Sequence, residues 1–465
     1  MKYWRHAVCF LVPIGILMCP VPDGLTLKAW QLFAVYMAAL TGFIVRPMNM
    51  AAMFLCIFAI SGLAFGNTEV VLSGFASSTA WLVFSAFMIG IAFTKTGLGR
   101  RLAYWLVGKF GGTALGLGYV AVLSDLVLAP ATPSNTARTG GTIYPIIRNV
   151  AEALGSTPEH DGRKIGSYLT VLMYSTGLTT GYIFMTAIAP NFLMVDFGRR
   201  ILKVDISWGL WLEAAVVPGM ICLLLLPLLV YWLYPPTLKT IDKRSFAAKG
   251  AQELGPISRN EKLLALFFVL AVLGWATGSW THIDSTAVAI SLVGACLFFQ
   301  VVTWDDLLDN RSAWTTFVWY AGIIGIAGGL AKYGFFVWLA KVLQNNLPLA
   351  GHGTLTVMLA LVLASILLHY IFASLAVFCA VMLPVIFTLT LATGAPAYAT
   401  FFLIAFSVDY AASLTHYSGA LGAVLFGTGY VEQRIWWTIG LVYTALSLAI
   451  HMGIGLPYWR LLGLW

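Results

Sequence analysis

Apolar residues run together at eleven places along the chain, near 7–21, 28–45, 49–66, 80–95, 166–189, 210–233, 261–280, 285–302, 313–331, 398–416 and 434–456. A bilayer core of about 30 Å asks for roughly 20 apolar residues in a helix, the one segment type that satisfies its own backbone in hydrocarbon. Two more apolar regions, 113–148 and 354–390, are interrupted near their middles by polar or turn-forming residues and are predicted to fold back as re-entrant hairpins. Short amphipathic pieces near 98–110 and 334–345 lead into them. The pattern predicts an all-α polytopic membrane protein, with about eleven transmembrane helices plus two re-entrant hairpins.

Leu123 to Pro145 reads LSDLVLAPATPSNTARTGGTIYP, with three prolines and two adjacent glycines beside Asn135 and Arg138. A lipid-facing helix cannot hold that run, because the freed backbone groups would have no partner. A hairpin tip buried in protein or lining a watery cavity can. Pro133-Ser134-Asn135-Thr136 is the expected tip: Pro133 ends the descending arm, and Ser134 or Asn135 can cap the returning one. Unpaired N–H groups and the positive dipole end of the returning half-helix then meet at the tip, which is an anion site. Ser134, Asn135 and Thr180 supply oxygens for a candidate cation site beside it. The plainer alternative is a Pro-kinked helix in a bundle.

The two halves of the chain resemble each other. Trp81, Phe84, Ile89-Gly90-Ile91-Ala92 and Lys95-Thr96-Gly97-Leu98 recur as Trp314, Phe317, Ile324-Gly325-Ile326-Ala327 and Lys332-Tyr333-Gly334-Phe335. Ser134 and Pro145 then recur as Ser374 and Pro384. An odd number of spans separates the copies, so residues 1–234 and 261–465 are expected as inverted repeats joined by a cytoplasmic linker, 235–260. The second tip, Ser374-Leu375-Ala376, has lost most of the first one's polarity. Each half also holds a stretch expected to unwind: Ser175 to Gly181 through Pro190-Asn191, and Leu414-Thr415-His416-Tyr417-Ser418-Gly419.

Composition agrees with a membrane protein. Of 465 residues, 60% are hydrophobic and only 9% charged, with a mean hydropathy of +0.88. The net charge of +8 is a topology signal rather than a nucleic-acid footprint: Lys and Arg concentrate on the side that holds the N-terminus, which is read as cytoplasmic. Arg199, Arg200 and Lys203 fall outside in this scheme. Lys2 and Arg5 ahead of an apolar run are read as an uncleaved first span. The six cysteines lie in apolar stretches and are read as buried thiols. Arg138 is the candidate counter-charge for an anionic substrate, with snorkelling to the cytoplasmic face as its alternative. His369 and His416 can donate to carboxylates or bond between helices. Asp125 and Asp409 would repel an anion, so structural pairing is the first reading for both, and cation or proton binding the second. Lys95 and Lys332 end their spans as interfacial anchors. No HExxH, P-loop or CxxC pattern points to an enzyme, and paired half-sites fit alternating access better than an open pore.

LAPATPSNTARTGGTIYPIIR and LTHYSGALGAVLFGTGYVEQRIWW resemble the divalent anion/sodium symporter superfamily, more narrowly its citrate-carrier and plastid-type 2-oxoglutarate/malate translocator branch. The resemblance runs from Trp30-Gln31-Leu32-Phe33 to Gly463-Leu464-Trp465. It implies a homodimer in which each protomer pairs a scaffold with an elevator-like transport domain. It also implies that di- or tricarboxylates bind between the two tips and the two unwound helices. Ser134, Asn135 and Thr136 would meet one carboxylate, and Ser374 with Thr415, His416 and Ser418 the other end. Leu375 and Ala376 depart from the family's more polar pattern. The implied activity is sodium-independent exchange of 2-oxoglutarate, malate or a related C4-dicarboxylate, without a cofactor, in a bacterial inner membrane. The alternatives are a sodium-coupled dicarboxylate symporter and a citrate/succinate or tartrate/succinate antiporter; an enzyme or channel comes last.

Overall fold

The structure, a computed structural model, describes residues 4–241, 252, 254–346 and 353–465, so Lys2 and the middle of the linker lie outside the described residues. Each of the eleven apolar stretches coincides with a helix. Among the described residues, eight helices are long and apolar enough to cross a membrane, and four shorter apolar ones accompany them. Their ends follow local chemistry. The hydroxyls of Thr26 and Ser207 accept from the backbone N–H groups of Ala29 and Leu210, and Ser258 with Glu261 forms a reciprocal capping box. Gly97 and Gly394 close their helices at positive φ.

Arg311–Lys332 is the axis of one group of helices and packs on Leu27–Val45, Met50–Phe65, Thr68–Leu72 and Ser78–Thr96. Backbones approach closely here. A Cβ at Gly74 would stand 1.8 Å from the Ala321 carbonyl oxygen, and one at Gly325 would stand 2.4 Å from that of Val71. The second copy of the Ile-Gly-Ile-Ala motif therefore marks a crossing that admits only glycine.

The second group centres on Gly166–Ile183, packed on Trp208–Leu233, Ala397–Ala411 and the first hairpin. That hairpin descends through Ala114–Leu128 and a 3-10 turn, Ala129–Ala131, reverses over 132–135 and returns as Thr136–Ile143 and Tyr144–Ala153. Thr136–Ile143 is a π-helical stretch, a wider winding that often accompanies functional sites. The second hairpin is Thr354–His369 followed by Leu375–Thr393. Pro384 cannot donate to Ala380, four residues earlier; the Tyr36 hydroxyl of Leu27–Val45 donates to that carbonyl at 2.5 Å. The first residues of the linker pair with the base of the first hairpin, Lys239 accepting from Ala114 at 3.1 Å and Ile241 donating to Gly112 at 3.0 Å.

Two expectations need correction, and one class of element went unseen. Ser175 to Gly181 is not unwound but lies inside Gly166–Ile183. Its hydroxyls bond back one turn, Thr179 to Ser175 and Thr180 to Thr176, so polar residues ride in a continuous helix. The break comes later, at Phe184 to Ile188, because Pro190 fits only in the first turn of a new helix, Ala189–Phe197. The cysteines are all free, but Cys222, Cys296 and Cys379 alone are buried; Cys9 is half-buried, Cys56 is exposed on Met50–Phe65, and Cys19 is exposed just past the end of Trp4–Met18. Finally, short helices at Thr68–Leu72, Trp304–Leu308 and Ala420–Phe426 escaped the sequence pattern, being too short to show a period.

A Gly74→Val variant is expected to lose about 1–3 kcal/mol through overpacking, seen as a lowered unfolding midpoint in detergent. Gly294→Ala, inside Ser285–Phe298 where a Cβ meets nothing within 4 Å, should leave that midpoint no lower.

Candidate functional site

The first tip is built around Arg138, which is 1% exposed. Its Nε donates to Asp125 Oδ2 at 3.1 Å, and one terminal nitrogen donates to the carbonyls of Thr132 at 2.9 Å and Ala187 at 3.0 Å. The other donates to the Thr180 hydroxyl at 3.0 Å. Asp125 also accepts from the hydroxyls of Thr139, at 2.5 Å, and Thr180. One guanidinium thus joins both arms of the hairpin to Gly166–Ile183 and to the break that follows it. A buried ion pair needs hydrogen bonds on its remaining donors and lone pairs to offset desolvation, and this one has them. Arg138 is therefore already neutralised by Asp125 rather than standing as an unpaired cation.

At the tip, Ser134 caps the returning arm: its hydroxyl accepts from the N–H of Ala137 at 3.3 Å, and its carbonyl from that of Arg138 at 2.9 Å. Pro133 offers its carbonyl to the N–H of Ala189 at 3.1 Å, which ties the tip to the next helix. Asn191 splints the break, donating to the carbonyls of Gly181 at 2.7 Å and Phe184 at 3.2 Å. Asn135 is buried, and its side-chain nitrogen meets no acceptor among the described residues. Thr136 is half-buried beside it.

A cavity of about 520 Å³ opens on this tip, with Thr132, Pro133, Ser134 and Arg138 on one wall. Phe87, Gly90, Ile91 and Thr94 of Ser78–Thr96 form the other. At its rim Lys95 is ion-paired with Asp306. The Lys95 ammonium, then the Thr303 backbone and hydroxyl, hold the Asp306 carboxyl down at about 2. As a depressed carboxylate it stays ionised, and the pair intact, until the pH falls toward that value. Lys95 is thus a cavity-rim group as well as a helix end.

The second cluster does not line this cavity. Ser374 caps Leu375–Thr393, its hydroxyl 3.5 Å from the N–H of Val377. Thr415 and Ser418 are buried and share a hydroxyl–hydroxyl bond of 2.5 Å. His416 accepts through Nδ1 from the Trp437 indole N–H at 3.2 Å and stacks on Phe426 at 4.3 Å, so its Nε2 carries the hydrogen and can donate. Leu375 packs toward Gly419, which makes this tip apolar. Helix Gly166–Ile183 reaches both clusters, since Thr180 bonds Arg138 and the Tyr174 hydroxyl donates to the carbonyls of Ala412 at 2.7 Å and Thr415 at 3.1 Å. Of the cation-site oxygens, that of Thr180 is already engaged by Arg138 and Asp125.

A family model for the sodium:sulfate symporter transmembrane region matches residues 1–465. The chain belongs to that family. Among relatives of this symporter-family chain, inner membrane protein YbhI of Escherichia coli K12 is 44% identical, covering 99% of this chain and 98% of that protein. Dicarboxylate transporter 1, chloroplastic, of Arabidopsis thaliana is 34% identical over 96% of this chain and 81% of its own length. The L-tartrate/succinate antiporter of Escherichia coli K12 is 34% identical over 98% and 97%. The YdaH transporter of Alcanivorax borkumensis shares the fold, with a TM-score of 0.57 at 13% identity over 86% of this chain and 89% of that one. This chain is an integral membrane protein of a transporter family, not an enzyme.

Arg138→Gln leaves the Asp125 charge buried without its cation and should cost about 3–5 kcal/mol. The double variant Asp125→Asn, Arg138→Gln should recover part of that loss, as read by thermal unfolding of the purified proteins in a double-mutant cycle.

Proposed function

We propose that this transporter exchanges C4-dicarboxylates or 2-oxoglutarate across the membrane without sodium. One observation carries the reading: a fixed guanidinium takes the tip-side oxygens that a sodium ion would need. A hard cation wants several oxygen ligands together. The carbonyls of Thr132 and Ala187 and the hydroxyl of Thr180 accept from Arg138 instead. What the tip leaves over is a donor, the Asn135 amide nitrogen, beside the positive end of the returning arm. A donor without an acceptor suits a carboxylate. The names of the antiporter and chloroplastic relatives support a dicarboxylate as the substrate class.

In this reading Ser134, Asn135 and Thr136 hold one carboxylate, and Ser374, Thr415, His416 and Ser418 approach the other end when the two clusters close around the substrate. Arg138 positions the tip. On the orientation that the Lys and Arg distribution favours, the cavity faces the cytoplasm. Alternating access moves the hairpin-bearing helices past the scaffold built on Arg311–Lys332, elevator-fashion. An orphaned donor makes the empty carrier costly to move through a dry interior, whereas a bound carboxylate satisfies it. That cost favours exchange over net uptake. The family resemblance supports a homodimer, and the bacterial relatives support a bacterial inner membrane.

Asn135→Leu should insert and fold normally yet lose transport, checked by labelled malate uptake alongside size-exclusion profiles; undiminished uptake would remove the tip from the site. Labelled malate should enter proteoliposomes preloaded with malate, equally in sodium and in choline buffer, and should scarcely enter empty ones. Strong uptake into empty vesicles driven by a sodium gradient would establish a symporter instead.

A further inference from the structure

Asp409 lies within Ala397–Ala411 and is fully buried, and among the described residues neither of its carboxylate oxygens meets a hydrogen-bond donor. Other buried carboxylates are partnered: Asp125 by Arg138, Asp196 by Arg200 and Glu261 by Arg101. Asp409 faces Gly181, its Oδ1 standing 3.1 Å from where a Cβ would be. The residue before that glycine, Thr180, bonds both Asp125 and Arg138. Arg138, bonded to that threonine, is the cation on this side, while Leu375–Thr393 with Cys379 and Gln433–Ile450 with Tyr443 pack against the Asp409 helix. Further titratable groups on the helices packed around it are Tyr182, His369 and His451. The rings of Tyr182 and His451 lie against Tyr410, and that of His369 against Phe378.

A lone carboxylate in a low-dielectric interior is far costlier than its neutral acid. A metal cation asks for several ligands at once, and among the described residues no group of three or more His, Cys, Asp or Glu side chains could hold one, whereas a proton needs a single oxygen. We infer that Asp409 is a proton-binding site and that its protonation is linked to occupancy of the dicarboxylate site at the first tip. The link is charge. Arg138 already offsets Asp125, so the cluster is neutral with Asp409 protonated and carries one negative charge with it ionised. That charge would sit behind a site for a dianion. Proton binding therefore favours substrate binding, and rising pH weakens it. This inference rests on the dicarboxylate reading above.

The test adds malate to purified wild-type protein in weakly buffered detergent between about pH 7 and pH 9, where malate carries both charges, and follows protons with a pH dye. Binding should take up to about one proton per malate at the upper end of that window. In proteoliposomes the KM for malate exchange should rise several-fold across it. Asp409→Asn should show no proton uptake, and the ratio of its KM values at the two limits should fall to about one. Wild-type protein that binds malate with no proton uptake overturns the assignment and leaves the transport reading standing. So does an Asp409→Asn variant that keeps the wild-type dependence. If that variant does not fold, the wild-type proton count decides alone. Wild-type protein that neither binds nor exchanges malate overturns the transport reading and the linkage together.

Discussion

The buried pair of Arg138 and Asp125 is the constraint on which the candidate site depends. Neither charge is reachable by solvent, so each must find partners within the protein or carry an unmet desolvation cost. The guanidinium meets that demand by reaching across three pieces of chain: the Asp125 arm, the Thr132 reversal and the Ala187 break. Those contacts hold the tip where the cavity ends. Because the pair is internally neutral, the proposed reading assigns charge recognition to Asn135 and to the dipole of the returning arm.

Around this point the helices divide the work. Arg311–Lys332 and its neighbours pack through glycines whose backbones nearly touch, which makes a rigid contact with no room for sliding. The wall that faces the tip is different: a Cβ at Gly90 would stand at an ordinary 3.6 Å from the Thr132 methyl. Tight crossing on one side and an ordinary van der Waals contact on the other set the two walls apart. The second tip is capped by Ser374 and filled by Leu375, so it contributes shape and few donors. The two half-sites are unequal in chemistry as well as in sequence.

Much of this was legible from residue order. Apolar runs with no partner for their backbone in lipid can only be helices, so the helical class followed from the period and length of those runs. Pro130, Pro133 and Gly140-Gly141 inside such a run announced the first reversal for the same reason, and Ser134 caps where its position predicts. The family resemblance rested on the same residues. Less legible was the other broken element. The Ser175 to Gly181 hydroxyls look like a helix breaker in sequence, yet they bond to their own preceding turn, and the chain breaks after Ile183 instead.

What sequence alone determined is therefore whatever depends on neighbours along the chain: helix or reversal, caps, the polar tip and the membrane setting. Only the tertiary structure decided which charges meet. Asp125 and Arg138 are 13 residues apart, Lys95 and Asp306 are 211 apart, and no local rule pairs them. The same holds for Asp409, an unremarkable acid in an apolar helix until the packing surrounds it with side chains and, among the described residues, brings it no donor. Pairing of buried charge is a property of the space between helices, set by long-range electrostatics and desolvation, and it becomes readable once the helices have been brought together.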